Sequence, residues 1–276
     1  MKKDLQFAFW GTPEVARETL VMLLSDGYIP KVVITNPDRP QGRGLTLTKS
    51  PVRVLAEEYN IPVLTPEKID AEFVEKIKDL NLDISIVVAY GKILPTEIID
   101  MPTHGTLNIH YSLLPKYRGA SPLEAALLTG EKETGVTIQK MVKRLDAGDM
   151  VMQEVVPIDA GIDKESLRHI LITTGAHLLL QILPEYLNGS LHPVPQDETG
   201  ATHCGKIKKE DGLVALTDDA TTLWNKYRAY SGWPGIYFMK DGTRVKITEA
   251  KYENNSFMIK RVVPENRKEI NYSDFI

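Results

Sequence analysis

The most informative stretch of the sequence is Thr106-Leu-Asn-Ile-His-Tyr-Ser112. In a β-strand, successive side chains alternate between the two faces of the sheet. The leucine, isoleucine and tyrosine would then share one face, whereas Asn108, His110 and Ser112 would share the other. Burying such polar groups without partners costs roughly 1–3 kcal/mol each, so we expect them to line a cleft. An amide that polarises a carbonyl, beside an imidazole that moves a proton, suits acyl-group chemistry.

The segments before this stretch alternate between predicted strands and predicted helices, which indicates a parallel α/β sheet of the Rossmann-like kind. The predicted strands cover residues 5–10, 31–35, 84–89 and 106–111, and the predicted helices run from Pro13 to about Ser25, over 51–59 and over 70–80. Thr12 is the expected N-cap of the first helix. Residues 36–50 contain several Pro and Gly and are expected to form a long loop.

The pattern changes in the second half of the chain. Residues 135–142 and 150–158 predict a hairpin, and a long helix opened by Asp163 follows. Short alternating segments after residue 205, with one helix near 219–230, predict a small β-rich domain. The expected domains are therefore a catalytic domain over 1–189, a linker over 190–206 and a C-terminal domain over 207–276.

Composition indicates an ordinary globular enzyme, with 42% hydrophobic and 25% charged residues. A single cysteine, Cys204, suits the reducing cytoplasm. The six histidines are not grouped at metal-ligand spacing, so no metal is expected. We also expect no signal peptide and no membrane partner. From residue 201 onward the sequence has 13 Lys and Arg and 10 Asp and Glu, so the formal net charge of this part is +3. The formal net charge of the whole chain is −4, so the first 200 residues carry −7. A positively charged C-terminal part would favour binding to the phosphate backbone of a nucleic acid.

Several motifs together resemble one enzyme family. They are Phe9-Trp-Gly-Thr-Pro13, Asn36-Pro-Asp-Arg-Pro-Gln-Gly-Arg-Gly44, Asn108-Ile-His110, Ser112-Leu-Leu-Pro115 and Leu145-Asp-Ala-Gly-Asp149. In this order they are similar to the 10-formyltetrahydrofolate-dependent formyltransferases over nearly the full chain. Within that family, the sequence most resembles the members that act on methionyl-tRNA.

The resemblance implies an activity and its participants. The chain would transfer a formyl group from 10-formyltetrahydrofolate to initiator methionyl-tRNA in translation initiation, as a cytoplasmic monomer that needs no metal. The implied catalytic residues are Asn108, His110 and Asp146. The implied folate-binding residues are Lys92, Ile93, Leu94, Ser112, Leu113, Leu114 and Pro115. The implied contacts to tRNA are Thr12, Arg39, Gly42 and Arg43.

The chemistry gives each catalytic residue a role. Asn108 would donate an N–H to the carbonyl oxygen of the formyl group. His110 has two possible roles: as imidazolium it would stabilise the negative charge on the same oxygen, and as neutral imidazole it would take the proton of the attacking amine. Asp146 would orient the imidazole and raise the pKa of His110. The C-terminal domain would be a shortened OB-like barrel, because relative to the family a stretch is missing between Tyr252 and Phe257.

Other functions stay open at this point. An N-formyltransferase acting on a nucleotide-linked amino sugar would share the catalytic residues and the folate site, and the segment 36–44 argues against it. A purine-pathway formyltransferase would lack that segment and the C-terminal domain. A dinucleotide-binding protein is disfavoured because Gly11-Thr-Pro-Glu14 is not a Gly-x-Gly-x-x-Gly turn. A non-catalytic RNA-binding protein is disfavoured by the low positive charge.

Overall fold

A computed structural model of the chain describes residues 4–41 and 46–275. The strands are β1 (Phe7–Gly11), β2 (Val32–Ile34), β3 (Arg39–Gln41), β4 (Thr46–Thr48), β5 (Val63–Leu64), β6 (Ile84–Val88), β7 (Thr106–His110), β8 (Arg118–Gly119), β9 (Glu133–Lys140), β10 (Met150–Pro157), β11 (His203–Cys204), β12 (Ile236–Lys240), β13 (Thr243–Glu253), β14 (Ser256–Pro264) and β15 (Ile270–Asn271). The α-helices are α1 (Glu14–Ser25), α2 (Pro51–Glu58), α3 (Ala71–Lys78), α4 (Thr96–Ile99), α5 (Pro122–Thr129), α6 (Lys164–Leu187) and α7 (Ala220–Ala229). Short 3₁₀ turns cover Glu198–Gly200, Lys209–Gly212 and Tyr272–Asp274.

By its internal contacts the chain divides into two compact units. The first comprises residues up to Arg118, Gly135–Val155 and Leu171–Ala201, and the second comprises Gly119–Thr134, Val156–Ile170 and residues from Thr202 onward. Neither unit is continuous in sequence. The domain boundaries expected from the sequence, at 1–189, 190–206 and 207–276, stay a prediction.

A mostly parallel sheet dominates the first unit. Within the described residues, its seven strands lie in the order β10-β9-β7-β6-β1-β2-β5. The pairs β1–β2, β1–β6, β2–β5 and β6–β7 are parallel, whereas β7 pairs with β9 in antiparallel orientation. This confirms the predicted fold class. The chain proceeds from β1 to β2 and β5, then returns to β6 on the other side of β1, and such a reversal opens a crevice at the carboxyl ends of the strands.

The centre of this sheet is apolar on both faces, as expected for parallel strands covered by helices. All five residues of β1 and of β6 are buried. Trp10 packs edge-on against Tyr90, with ring centres 5.3 Å apart, and its indole N–H donates to Ser85 Oγ at 3.3 Å. The two polar side-chain groups of this buried strand pair, the Trp10 indole N–H and the Ser85 hydroxyl, are therefore bonded to each other.

Helix α6 is the longest helix of the described chain. Asp163 caps its start by accepting a hydrogen bond from the Ser166 amide at 2.9 Å, as the sequence predicts. At Gly175 an added Cβ would lie 2.9 Å from a methyl carbon of Ile109, so the helix approaches β7 closely. The helix is long and apolar enough to span a membrane by length and composition alone, but half of that apolar window is buried inside the protein, as is typical of a core helix.

Two local predictions were wrong. Helix α1 begins at Glu14 with Pro13 in the N-cap position and no side-chain cap, because the Thr12 hydroxyl bonds elsewhere. The predicted loop over 36–50 contains an antiparallel pair of strands, β3 and β4, in which Arg39 lies opposite Thr48. Proline is tolerated in such an exposed edge strand, which is why Pro40 does not prevent the pairing.

The second unit carries a small antiparallel sheet in the order β12-β13-β14-β15, with four strands in the described residues. Strands β13 and β14 form a hairpin, and Asn254 and Asn255 form the turn between them. Both asparagines have positive φ (50° and 57°), as is typical of a two-residue hairpin turn. This confirms the predicted β-rich C-terminal domain with antiparallel strands. A direct turn thus joins β13 and β14 between Tyr252 and Phe257, and the expected shortening of the domain relative to the family stays a prediction.

Helices α5 and α7 pack against each other in the second unit. Arg228 on α7 is 5% exposed, and its guanidinium donates to the carbonyls of Asp159 and Ile162, each at 3.3 Å, and to Asn225 Oδ1 at 2.7 Å. Buried hydrogen bonds from one arginine to separate segments explain why residues 156–170 associate with the C-terminal part of the chain.

Candidate active site

Asn108 and His110 project from the same face of β7, as the alternation in the sequence predicts. In the antiparallel pairing with β9, Asn108 lies opposite Gln139 and His110 lies opposite Thr137. Directly opposed residues share a face, so these four polar side chains form one surface, on the side of the sheet away from Gly175. Asn108 is partly exposed, and within residues 4–41 and 46–275 its amide group has no hydrogen-bond partner. It is therefore available to bind a substrate oxygen.

The imidazole of His110 is buried, with 5% exposure. Its Nε2 lies 3.0 Å from the carbonyl oxygen of Tyr117, and since a carbonyl can only accept, Nε2 must carry a proton. Nδ1 is then the atom that takes up or releases a proton. It lies 3.7 Å from Asp146 Oδ1, which is too long for a hydrogen bond but close enough to stabilise a positive charge on the ring.

The predicted direction of the His110 pKa shift was wrong. The Asp146 carboxylate and the hydrogen bond to Tyr117 do raise this pKa, but burial of the ring has a larger effect and lowers the pKa below its ordinary value of 6.5. The imidazole is therefore neutral at neutral pH and able to accept a proton.

Asp146 is held in an unusual conformation beside the histidine. Its φ is +47°, a region that residues other than glycine seldom occupy. Its side chain is 12% exposed, and Oδ1 accepts a hydrogen bond from Gln139 Nε2 at 2.9 Å. At Gly148 an added Cβ would come within 1.7 Å of the Lys140 carbonyl oxygen, so only glycine fits this close turn. The Leu-Asp-Ala-Gly-Asp sequence thus places a carboxylate against β9.

The segment Ser112–Pro115 forms a tight loop at the end of β7. Ser112 is fully buried, and its hydroxyl donates to the Lys116 carbonyl at 2.6 Å. The Leu114 amide donates to Thr137 Oγ1 at 3.1 Å, and the Leu114 carbonyl accepts from Gln153 Nε2 at 2.7 Å. These bonds fix the backbone of the loop. The Ser112 hydroxyl is used within the loop, so its predicted folate contact would have to come from the backbone.

The remaining two residues of this loop face other parts of the first unit. Leu113 fills the space beside Gly135, where an added Cβ would lie 2.5 Å from its methyl carbon. Pro115 is partly buried and lies 3.4 Å from a Cβ built on Gly200. Both side chains therefore have neighbours of their own, and their folate-binding role stays a prediction.

Residues 92–94 lie four to six residues beyond the carboxyl end of β6. Lys92 Nζ donates to the carbonyls of Pro66 and Glu67, at 2.6 and 3.0 Å, and partial burial lowers the pKa of Lys92. Ile93 is 88% exposed, whereas Leu94 belongs to the buried core. The three side chains thus point to different surroundings. These side chains therefore do not form one binding surface, and the predicted role of residues 92–94 in folate binding, through their backbone groups, stays a prediction.

Of the residues predicted to contact tRNA, the structure describes Thr12 and Arg39. The Thr12 hydroxyl donates to the Tyr90 carbonyl at 3.3 Å and accepts from Asn36 Nδ2 at 3.0 Å, so it joins the ends of β1, β2 and β6. Arg39 is exposed on β3 and pairs with Glu67 at 3.4 Å. Gly42 and Arg43 lie outside the described residues.

Three further residues belong to the site but were not predicted. Gln139 bonds to the carboxylate of Asp146, and Gln196 and Arg118 hold the turn that carries it. Gln139 stands in a predicted strand, but only the register of β9 against β7 shows that it faces Asn108. Gln196 lies in a segment that was predicted to be a linker, and no local pattern distinguishes it there.

The side chains at this face have chemical groups of the kinds that acyl transfer to an amine uses. Asn108 offers an amide donor, neutral His110 offers a base at Nδ1, and Asp146 stabilises the imidazolium that results. Among the residues that the structure describes, no group of three or more His, Cys, Asp or Glu could hold a metal ion.

Comparisons with known proteins match both parts of the chain to one family. Residues 7–183 match the family model described as formyl transferase, and residues 206–270 match the formyl transferase C-terminal domain. The chain is 43% identical to a methionyl-tRNA formyltransferase of a Sulfurihydrogenibium species, over 90% of this chain and 80% of the relative. It is 43% identical to the methionyl-tRNA formyltransferase of Thermotoga neapolitana, over 91% and 81%.

Solved structures share the fold. The methionyl-tRNA formyltransferase from Clostridium thermocellum superimposes with a TM-score of 0.63 at 16% identity, over 97% of this chain and 99% of its own. An N-formyltransferase from Helicobacter canadensis, crystallised with folinic acid and dTDP-3-aminofucose, gives 0.67 at 19% identity, over 92% and 95%. Since the N-terminal family model alone covers well over half of the residues, the chain belongs to the formyl transferase family.

Proposed function

We propose that the protein transfers a formyl group from 10-formyltetrahydrofolate to the α-amino group of initiator methionyl-tRNA, a step that prepares this tRNA for translation initiation. The observation that carries the choice of acceptor is the 43% identity, over about nine-tenths of the chain, to relatives named methionyl-tRNA formyltransferase. The chemistry is supported independently by the arrangement of Asn108, His110 and Asp146 on one face of the sheet.

The reaction balances with these side chains. The amine nitrogen adds to the formyl carbon, and the electron pair of the carbonyl moves to its oxygen, which Asn108 stabilises with an N–H donor. His110 Nδ1 accepts the proton that the nitrogen loses, and Asp146 stabilises the imidazolium. As the carbonyl reforms, the bond from the formyl carbon to N10 of the folate breaks. The proton on His110 then passes to N10, which restores the neutral imidazole.

The formyl donor fits the residues around this face. The donor supplies an activated formyl group on N10, and the unpaired amide of Asn108 is the group suited to its oxygen. The backbone of the loop 112–115, fixed by Thr137 and Gln153, and the backbone of 92–94 beyond β6 are the proposed walls of the folate site. Crevices at the carboxyl ends of parallel strands are the usual ligand sites of such sheets.

The pH dependence should reveal the pairing of His110 with Asp146. Because burial lowers the pKa of His110, the acidic limb of kcat/KM in the wild type is expected below pH 6.5. Asp146→Asn removes a charge that raises this pKa, so the limb should move to still lower pH while kcat falls by about 10²-fold, since the imidazolium is no longer stabilised. The test is to measure kcat/KM of the wild type and of Asp146→Asn from pH 5 to 8, about the range over which histidines titrate. If the acidic limb of a folded Asp146→Asn protein lies at the same pH as that of the wild type, the result would count against the pairing of His110 with Asp146.

A cleft in the second unit supports a polyanionic acceptor. It has a volume of about 360 Å³ and is lined by Lys209, Trp233, Pro234, Arg244, Lys246, Val263 and Glu265. Three of these side chains are cationic and one is acidic. Trp233 is 57% exposed, and the Arg244 guanidinium lies 3.9 Å from the centre of the Tyr237 ring. Cations beside exposed aromatic rings suit phosphates and bases of a nucleic acid. We propose that this cleft binds the tRNA. The tRNA contacts of Thr12, Arg39, Gly42 and Arg43 are a separate proposal, which rests on the resemblance of their motifs to the family.

The role of this cleft can be tested by Lys246→Ala. Loss of one phosphate contact should raise KM for methionyl-tRNA several-fold and reduce the slope of log KM against log salt by about one. KM for the formyl donor should not change. Lys260→Ala, which removes an exposed lysine from β14 outside the cleft, is the matched control. Equal salt slopes for the two variants would contradict the assignment.

The alternative acceptor is a nucleotide-linked amino sugar. Structures of sugar N-formyltransferases share this fold, with TM-scores of 0.66 and 0.68 at 17% and 16% identity. Identity this low carries no information on the acceptor, so this reading has less support than methionyl-tRNA.

The proposed reaction is tested by incubating the purified protein with 10-formyltetrahydrofolate and methionyl-tRNA. Formation of formylmethionyl-tRNA, with one tetrahydrofolate released per formyl group, is the expected result. N-acetylmethionyl-tRNA, in which the amine is blocked, should give neither product. Turnover of the folate at equal rates with both tRNAs would overturn the proposal. The cytoplasmic location and the monomeric state stay proposals, and the second is tested by light scattering.

A further inference from the structure

Gln196 connects a segment that was predicted to be a linker with the turn that carries Asp146. Its Nε2 donates to two backbone carbonyls of that turn, Asp146 O at 2.9 Å and Gly148 O at 2.7 Å. Its Oε1 accepts two hydrogen bonds from Arg118, from Nε at 3.0 Å and from Nη2 at 2.7 Å. Both N–H groups and both lone pairs of this amide are therefore used.

Arg118 is the fixed side chain that supports Gln196. Its side chain is 2% exposed, and its guanidinium also forms two hydrogen bonds to the Glu198 carboxylate, at 2.9 and 3.1 Å. Arg144, directly before the turn, binds the same carboxylate. The hydrogen bonds from Arg118 lower the pKa of Glu198, so the carboxylate stays charged. A buried guanidinium fixed in this bidentate manner has little freedom to move.

The turn needs support from outside because its own conformation is unfavourable. Asp146 has a positive φ of 47°, and such a strained residue persists only where its surroundings hold it. The side chain of Asp146 is bound by Gln139 from β9, but its backbone carbonyl is bound by Gln196. Gln196 therefore joins the two ends of the turn, at Asp146 and Gly148, to the buried Arg118.

We propose that Gln196 is a positioning residue of the active site, which holds the backbone of the turn 146–148 so that the Asp146 carboxylate stays beside His110 Nδ1. The catalytic consequence rests on the proposed formyl transfer, whereas the positioning itself does not. A displacement of about 1 Å in a catalytic group can cost about 10²-fold in rate.

Titration of His110 by NMR tests the proposal without any substrate. Asp146 is the charged side chain that acts on the His110 ring, and the Tyr117 carbonyl is its hydrogen-bond acceptor. In Gln196→Ala the carboxylate is expected to move away, so the measured pKa of His110 should fall. In an Asp146→Asn background the same substitution should cause no further fall. Gln181→Ala, which removes an exposed amide from α6, is the matched control and should titrate like the wild type.

Kinetics provide the second readout. Gln196→Ala should lower kcat roughly ten- to hundredfold and leave KM for the formyl donor unchanged. If Gln196→Ala does not fold, Gln196→Met serves instead, because it keeps about the same side-chain volume and adds no charge but lacks the two N–H donors. A wild-type His110 titration in either folded variant overturns the proposal, even where activity is lost. Because the titration uses no acceptor, failure to formylate methionyl-tRNA would leave its result intact.

Discussion

Replacement of His110 by glutamine is expected to lower kcat for formyl transfer by about 10²–10⁴-fold, the contribution typical of a general base. The glutamine amide can still donate to the Tyr117 carbonyl, which the imidazole does at 3.0 Å, but it cannot accept the amine proton. KM for the formyl donor should change little, because the loop 112–115 is fixed by other residues. Single-turnover rates at saturating donor and acceptor measure this effect.

Two comparisons separate a loss of chemistry from a loss of folding. His177→Gln changes an exposed histidine of α6 and should keep wild-type rates. His110→Ala removes the same base but leaves a cavity at a site of 5% exposure, so it should lose as much activity and also some stability. A His110→Gln protein that turns over at the wild-type rate would exclude His110 as the base.

Replacement of Asn108 by alanine is expected to lower kcat by about 10²–10³-fold, the loss seen when one oxyanion donor is removed from an acyl-transfer site. The side chain is partly exposed and its amide group has no hydrogen-bond partner within the described chain, so its removal should leave the melting temperature close to that of the wild type. Asn108→Ala should therefore lose activity without losing stability, whereas His110→Ala should lose both.

Asn108→Asp extends this test, because it keeps the size of the side chain but replaces the N–H donor with a negative charge. It should be less active than Asn108→Ala, since the charge repels the developing oxyanion. Gln181→Ala again serves as the control for a lost amide. Equal activity of the aspartate and alanine variants would argue that Asn108 does not contact the reacting oxygen.

Much of the site could be predicted from the sequence because the relevant signals are local. The alternation of Asn108 and His110 depends only on the strand period, and the Leu-Asp-Ala-Gly-Asp turn depends on a glycine that must approach Lys140 closely. The parallel sheet follows from strands that alternate with helices. Each of these features depends on a short stretch of sequence and not on contacts with distant segments.

The features that were missed depend on packing between distant segments. The register of β7 against β9 brings Gln139 opposite Asn108, and no sequence period encodes a register between strands that are about thirty residues apart. The contact of Gln196 with Asp146 spans 50 residues. The pKa of His110 was misjudged because a charge next to the ring is visible in a motif, whereas the burial of the ring is a property of the whole fold.

The central claim, formyl transfer to methionyl-tRNA, is tested most directly by measuring kcat/KM for two acceptors side by side. The purified protein receives 10-formyltetrahydrofolate with methionyl-tRNA in one series and with a dTDP-linked amino sugar in the other, and formylated product is quantified by mass. We predict formylmethionyl-tRNA at a kcat/KM within the range of about 10⁴–10⁸ M⁻¹s⁻¹ that enzymes show for their own substrates, and no formylated sugar. Formylation of the sugar alone would contradict the account.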